Sequence, residues 1–288
     1  MTTDAPTARR HPRAGHAVLV AGLALVAVAA LWLAATGDTG IRYSADHTDT
    51  VPVWTRWIPA LVGIALIRLI PPPSDPRWPD PVAPWREAVP LLLAGVAFAA
   101  IMPLLGGEPA YTVLKLALLL GVPAGVFLAA RRWPPRWRPG PPPAGAAHRW
   151  GPALPVVVWL MLSYATPLAA PTSDWGRAMT PVELVVTVLV VFAINALLEE
   201  VFYRRWLQTR WESLLGRWPA IVLASLVWAA WHLAIQGTGR PGLDLAMLAV
   251  NQGVLGLFLG YLWSRYRRIW PPLVVHGALN AMPGLLGL

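Results

Sequence analysis

Nine stretches of the chain are predominantly apolar, each close to the roughly 20 residues a helix needs to cross a hydrocarbon core of about 30 Å. They run from His16 to Ala35, Val53 to Ile70, Ala88 to Leu105, Tyr111 to Ala130, Leu154 to Ala170, Val182 to Phe202, Pro219 to Gln236, Leu245 to Trp263 and Leu273 to Leu288. The pattern predicts an all-α protein, a polytopic transmembrane helical bundle of about eight to nine spans. The first stretch follows arginines as a signal peptide would, but its apolar run exceeds the usual 7 to 15 or so residues, so it reads as a retained span. The last is barely long enough to cross.

Composition agrees with this reading. Hydrophobic residues make up 56% of the chain and charged residues only 13%, where soluble domains carry about 25% charged residues. Mean hydropathy is +0.53. The formal net charge of +9 is carried almost wholly by arginine, Lys115 being the only lysine. Because these charges fall between apolar runs, they argue for membrane orientation and against nucleic acid as a partner. Arg9 to Arg13, Arg131 to Arg149, Arg204 to Arg217 and Arg265 to Arg268 are basic, whereas Asp38 to Asp49, Glu108 and Asp174 to Arg177 are acidic or balanced. Simple alternation collects the basic stretches on one side. That predicts an integral protein of the cell (inner) membrane with a cytoplasmic N-terminus. Arg56 and Arg68 fall inside the second segment and must snorkel or face protein. With no cysteine, disulfides, thiolate nucleophiles and cysteine-based zinc sites are excluded. Proline-rich connectors, Pro71 to Pro90 and Pro134 to Pro155, divide an N-terminal transmembrane region (1–150) from a C-terminal region (151–288) that holds the candidate chemistry.

That chemistry starts at Asn195-Ala-Leu-Leu-Glu199-Glu200-Val-Phe-Tyr-Arg204-Arg205. Ionisable residues in a span need a partner or a function. Glu200 and Arg204 lie four apart on one helical face and can pair. Glu199 points about 100° away, on the side of Asn195 and Tyr203, and is free to act as a base near the cytoplasmic end of its span. Trp228-Ala-Ala-Trp-His232 places a lone imidazole in an apolar span, and His276-Gly-Ala-Leu-Asn280 puts imidazole and carboxamide on one face, where both can donate to an oxyanion. Each cluster alone also admits a structural reading: an interfacial carboxylate pair, a carbonyl-bonded histidine, a helix-to-helix polar contact. Three on successive segments favour a shared polar cavity. One discrepancy stands out: His232 lies roughly 20 Å in from Pro219, whereas Glu199 and His276 lie within roughly 10 Å of their segment ends.

The series Glu199-Glu200-x-x-x-Arg204, Trp228-x-x-x-His232 and His276-x-x-x-Asn280 resembles the motifs of the CAAX protease and bacteriocin-processing (CPBP) family of intramembrane glutamic endopeptidases. The stretch from Asn251 to Trp263 is also similar, and the likeness covers roughly 180–285. The resemblance implies that Glu199 is the general base, that His232 orients water, that His276 and Asn280 stabilise the oxyanion, and that Glu200 and Arg204 support the site. It also implies a peptide or protein substrate, lipidated or membrane-anchored, and no cofactor. Two departures are Trp228 where the family usually has phenylalanine and Arg205 where glycine is common. Other readings are a zinc hydrolase using Glu199, Glu200, His232 and His276, a proton-coupled transporter, and a non-catalytic membrane partner or immunity-type protein.

Overall fold

The computed structural model describes residues 11–42, 50–72, 85–105, 107–132, 145–169 and 171–287. Much of both proline-rich connectors, the start of the first basic stretch and most of the acidic stretch to Asp49 lie outside the described residues. The helices are α1 (Pro12–Thr36), α2 (Trp54–Leu69), α3 (Trp85–Leu105), α4 (Ala110–Ala130), α5 (Ala153–Tyr164), α6 (Pro181–Leu215), α7 (Arg217–Gln236), α8 (Pro241–Tyr266) and α9 (Trp270–Leu286). A single helical turn, Ala146–Trp150, precedes α5, and a small antiparallel hairpin, β1 (Gly40–Arg42) with β2 (Thr50–Pro52), links α1 to α2.

The protein is therefore an all-α integral membrane protein. Six described helices, α1, α3, α4, α6, α7 and α8, are long and apolar enough to cross a bilayer. The expected count of eight to nine spans is not confirmed at that length, since α2, α5 and α9 have 16, 12 and 17 residues. In α5 the apolar run continues to Ala170, but the helix stops at Tyr164, just before Pro167.

A larger departure concerns α6. The apolar run ends at Phe202, yet the helix continues to Leu215, so most of the basic stretch Arg204 to Arg217 is helix rather than loop. Partners make this possible. Arg204 pairs with Glu200, Arg210 with Glu87 of α3, and Glu212 with Arg267 at the end of α8. The turn into α7 is made instead at Gly216, whose φ of +92° suits a residue without a side chain. At its other end α6 starts with a capping box between Thr180 and Glu183, with Pro181 in the first turn.

Contacts between helix ends fix their directions. His11 N–H donates to the Leu214 carbonyl, Glu87 meets Arg210, Glu212 meets Arg267, and the Trp270 indole donates to the Arg149 carbonyl. These residues form a basic pole. At the opposite pole Val53 N–H donates to the Thr39 carbonyl and Ser173 N–H to the Pro283 carbonyl. Successive helices thus alternate in direction, with the start of α1 at the basic pole. Arg68 is exposed, while Arg56 donates to Asn251 of α8 at 3.4 Å.

At the centre stands α8, 83% of whose apolar stretch is buried, against 17% for α1, whose outward leucines and valines suit lipid. The α7–α8 crossing is close because Gly256 faces Ser225, where an added Cβ would lie 2.8 Å from the serine Cβ and 3.1 Å from its Cα. Gly256→Val should lower thermal stability in detergent by about 1–3 kcal/mol. Gly125→Ala, where a Cβ meets nothing within 4 Å, should not destabilise. The chain has no cysteine of its own. Single cysteines at the exposed Arg131 and Asp174 should therefore label with a membrane-impermeant maleimide from opposite faces of sealed vesicles.

Candidate active site

Midway along α6 the helix widens. Phe192–Leu197 and Val201–Gln208 are π-helical and flank the short α-helical piece Leu198–Glu200. Such turns recur at functional sites. Both carboxylates carried there are buried, Glu199 at 1% and Glu200 at 0% exposure, so each needs its own partners.

Glu199 is gripped at both oxygens. Oε1 accepts from the Lys115 ammonium of α4 at 2.5 Å, and Oε2 from the Trp228 indole of α7, also at 2.5 Å. Lys115 in turn donates to the Tyr111 hydroxyl at 2.5 Å and to Asn195 Oδ1 at 2.8 Å, and the Tyr111 hydroxyl donates to the same Asn195 oxygen at 3.0 Å. Glu199 is therefore held rather than free, which corrects the sequence-based picture. The partner in question comes from a helix 84 positions away.

Glu200 faces a separate set. Arg204 Nε donates to its Oε2 at 3.2 Å, as the four-residue spacing predicts, and His276 Nδ1 lies 2.8 Å from Oε1. A carboxylate acceptor requires Nδ1 to carry the proton, leaving Nε2 as the ring's other face. The Arg204 guanidinium sits 5.3 Å from the Trp228 ring centroid, and its two terminal nitrogens have no hydrogen-bond partner among the described residues.

His232 ends the main run of α7, its Nδ1 3.0 Å from the Trp228 carbonyl. A carbonyl can only accept, so Nδ1 is the donor and Nε2 of the neutral ring is an acceptor. The depth discrepancy between Glu199 and His232 disappears because α6 reaches the basic pole at Leu215. Glu199 is 16 residues short of that end and His232 is 15 beyond Arg217, both about 23 Å in.

A cavity of about 440 Å³ is lined by Glu199, His232, His276 and Asn280, along with Asn195, Tyr111 and Trp231. The structure thus brings all four expected catalytic positions to one space, while Glu200 and Arg204 lie behind it. The Asn280 amide nitrogen is buried at the cavity with no hydrogen-bond partner among the described residues. Further out the lining includes Ser173, Trp175, Gln236 and Pro283. These residues belong to the pole opposite the basic one. Glu199 thus lies at the middle of a longer helix rather than near its basic end.

Sequence reasoning missed Lys115 and Tyr111, and it noted Trp228 only as a departure from the family's phenylalanine, although its N–H reaches Glu199. The signal for Lys115 was present, namely one lysine inside an apolar run. Arg205, the other departure from the family pattern, is exposed and does not line the cavity. Among the described residues no three carboxylate or imidazole side chains converge as metal ligands.

Residues 181–282 match the family model described as type II CAAX prenyl endopeptidase Rce1-like, in agreement with the CPBP resemblance carried by the motifs. The matched stretch contains Glu199, His232, His276 and Asn280 and leaves out Lys115 and Tyr111. It supports a CAAX protease-type membrane enzyme that acts on a protein or peptide. No curated protein and no solved structure matches the chain.

Arg204→Met removes the side-chain cation nearest Glu200 and should cost about 3–5 kcal/mol, because a buried charge is left short of a partner. Glu200→Gln in the same chain should return most of that loss, both read by thermal unfolding in detergent.

Proposed function

We propose that the protein is an intramembrane glutamic endopeptidase that hydrolyses a peptide bond of a membrane-associated or lipidated substrate. The observation that carries this reading is the cavity itself: a buried carboxylate, an acceptor imidazole, a second imidazole and an unpartnered amide donor meet there from three different helices.

In this mechanism a water molecule lies between Glu199 and His232. The neutral His232 ring accepts one of its hydrogens at Nε2, which aims the oxygen, and Glu199 takes the other proton as the oxygen attacks the peptide carbonyl carbon. The negative charge passes to the carbonyl oxygen. Asn280 Nδ2–H donates to it, and so does His276 from Nε2–H when its ring is protonated, with Nδ1 held by Glu200. Glu199 then delivers its proton to the departing nitrogen as the C–N bond breaks. Glu200 and Arg204 fix His276 and hold this end of the site. Val188, Val191, Leu255 and Leu279 give the cavity an apolar wall suited to aliphatic side chains or a lipid substituent.

Residues 151–288 form the catalytic unit in this reading, with the described helices before residue 151 packed around it. The basic pole lies in the cytoplasm of the cell membrane, together with the N-terminus. The scissile bond then reaches Glu199 from the opposite side of the bilayer.

The test uses purified protein in proteoliposomes and a farnesylated peptide ending in a CAAX sequence, with products read by mass spectrometry. Glu199→Gln should abolish cleavage. Asn280→Ala should slow it about 10²- to 10³-fold, the usual loss for one oxyanion donor. Wild-type rates in both variants would remove the peptidase reading and leave a binding role. Membranes carrying Glu199→Gln should also accumulate an uncleaved precursor.

A further inference from the structure

Lys115 is the chain's only lysine, and none of it is exposed. A buried ammonium in a membrane span is costly unless its three N–H groups are satisfied and its charge is matched. Both conditions hold here. The three donors go to Tyr111, Asn195 and Glu199. The nitrogen also lies 4.7 Å from the Tyr111 ring centroid and 4.9 Å from that of Trp231, an aromatic enclosure that suits a cation. With every donor spoken for, the ammonium has one position available to it.

The charges around it follow a simple pattern. Glu200 is matched by Arg204, and Glu199 by Lys115, so these four side chains together carry no net charge. When Glu199 takes a proton from water it becomes neutral, and the negative charge it loses reappears on the substrate oxygen. Lys115 keeps its charge throughout. It matches the base before the transfer and the oxyanion after it, so the total charge stays constant in a region where an unmatched charge is expensive. Without it, a buried Glu199 would avoid the cost of ionisation by keeping a proton, and a protonated carboxyl cannot accept another from water.

We propose that Lys115, which lies outside the matched stretch 181–282, is a positioning residue for the base. It holds Glu199 ionised and directed into the cavity, and it balances the charge that moves to the substrate. This rests on the peptidase reading. The competing possibility is that Lys115 only ties α4 to α6.

The experiment compares Lys115→Met, Lys115→Gln and Lys115→Arg with the wild type, using the same proteoliposomes and farnesylated CAAX peptide, and follows thermal unfolding alongside. Loss of the charge should lower kcat about 100-fold or more, the scale of a disabled general base, with KM within about twofold. Lys115→Arg should return kcat to within about tenfold of wild type, because charge rather than shape is required. If the neutral variants fold poorly, adding Glu199→Gln to Lys115→Met should restore the fold by removing the carboxylate that lost its match. Wild-type kcat in Lys115→Met overturns the proposal. So does an equal loss in Lys115→Arg, or a folding defect that Glu199→Gln does not relieve, since either marks a packing role. Full activity in Lys115→Met beside an inactive Glu199→Gln removes the lysine's role alone, whereas cleavage by Glu199→Gln removes the peptidase reading itself.

Discussion

Two adjacent carboxylates buried at mid-helix constrain everything packed around them. Removing an ion from water costs several kcal/mol even after relaxation, and neighbours on a helix point roughly 100° apart, so one cation cannot serve both. The solution is two partner sets from different directions. Glu200 uses Arg204 of its own helix and His276 of α9, while Glu199 uses Lys115 of α4 and Trp228 of α7. The middle of α6 is consequently enclosed by α3, α4, α7 and α9, although its first turns expose Val182, Val185 and Leu189 as a lipid-facing helix does.

Pairing also decides how long the helices are. Arg204, Arg210 and Arg267 contribute to the formal charge of the basic stretches, yet each faces a carboxylate. They are interior residues that lengthen α6 and secure the end of α8, not loop charges that orient the protein. The orienting excess at that pole falls to the remaining arginines, among them Arg131, Arg132 and Arg149. The same lengthening moves Glu199 to the depth of His232, and the cavity then extends to the pole of Ser173 and Pro283.

What could be read from the sequence was whatever is local or repeats with the helical period. The apolar runs located nearly every helix, the four-residue interval disclosed Glu200 with Arg204, and three polar clusters on successive runs pointed to one cavity. Features that depend on distant partners were hidden. Nothing near Arg210 reveals Glu87, so a buried helical turn resembled a solvated basic loop. Likewise nothing near Glu199 reveals Lys115 or the Trp228 indole. The π-helical turns about Glu199 were also invisible, because a helix can widen without any change in the apolar pattern that marks it.

In the proposed mechanism the choice of base between the two glutamates does not follow from proximity to a cation, since both have one. It follows from which of them meets the cavity. Glu199 is on the cavity wall, and Glu200 is not. The backbone-bonded Nδ1 of His232 leaves its acceptor nitrogen for water, and His276, whose Nδ1 is committed to Glu200, has only Nε2 left to offer. The adjacent carboxylates are thus made unequal by what surrounds them. One fixes an imidazole from behind, and the other faces the space where a water and a peptide bond could meet, close to an amide donor that has no other partner among the described residues. The proposed proton transfer depends on that asymmetry, which an ion-pair network built only for packing would not require.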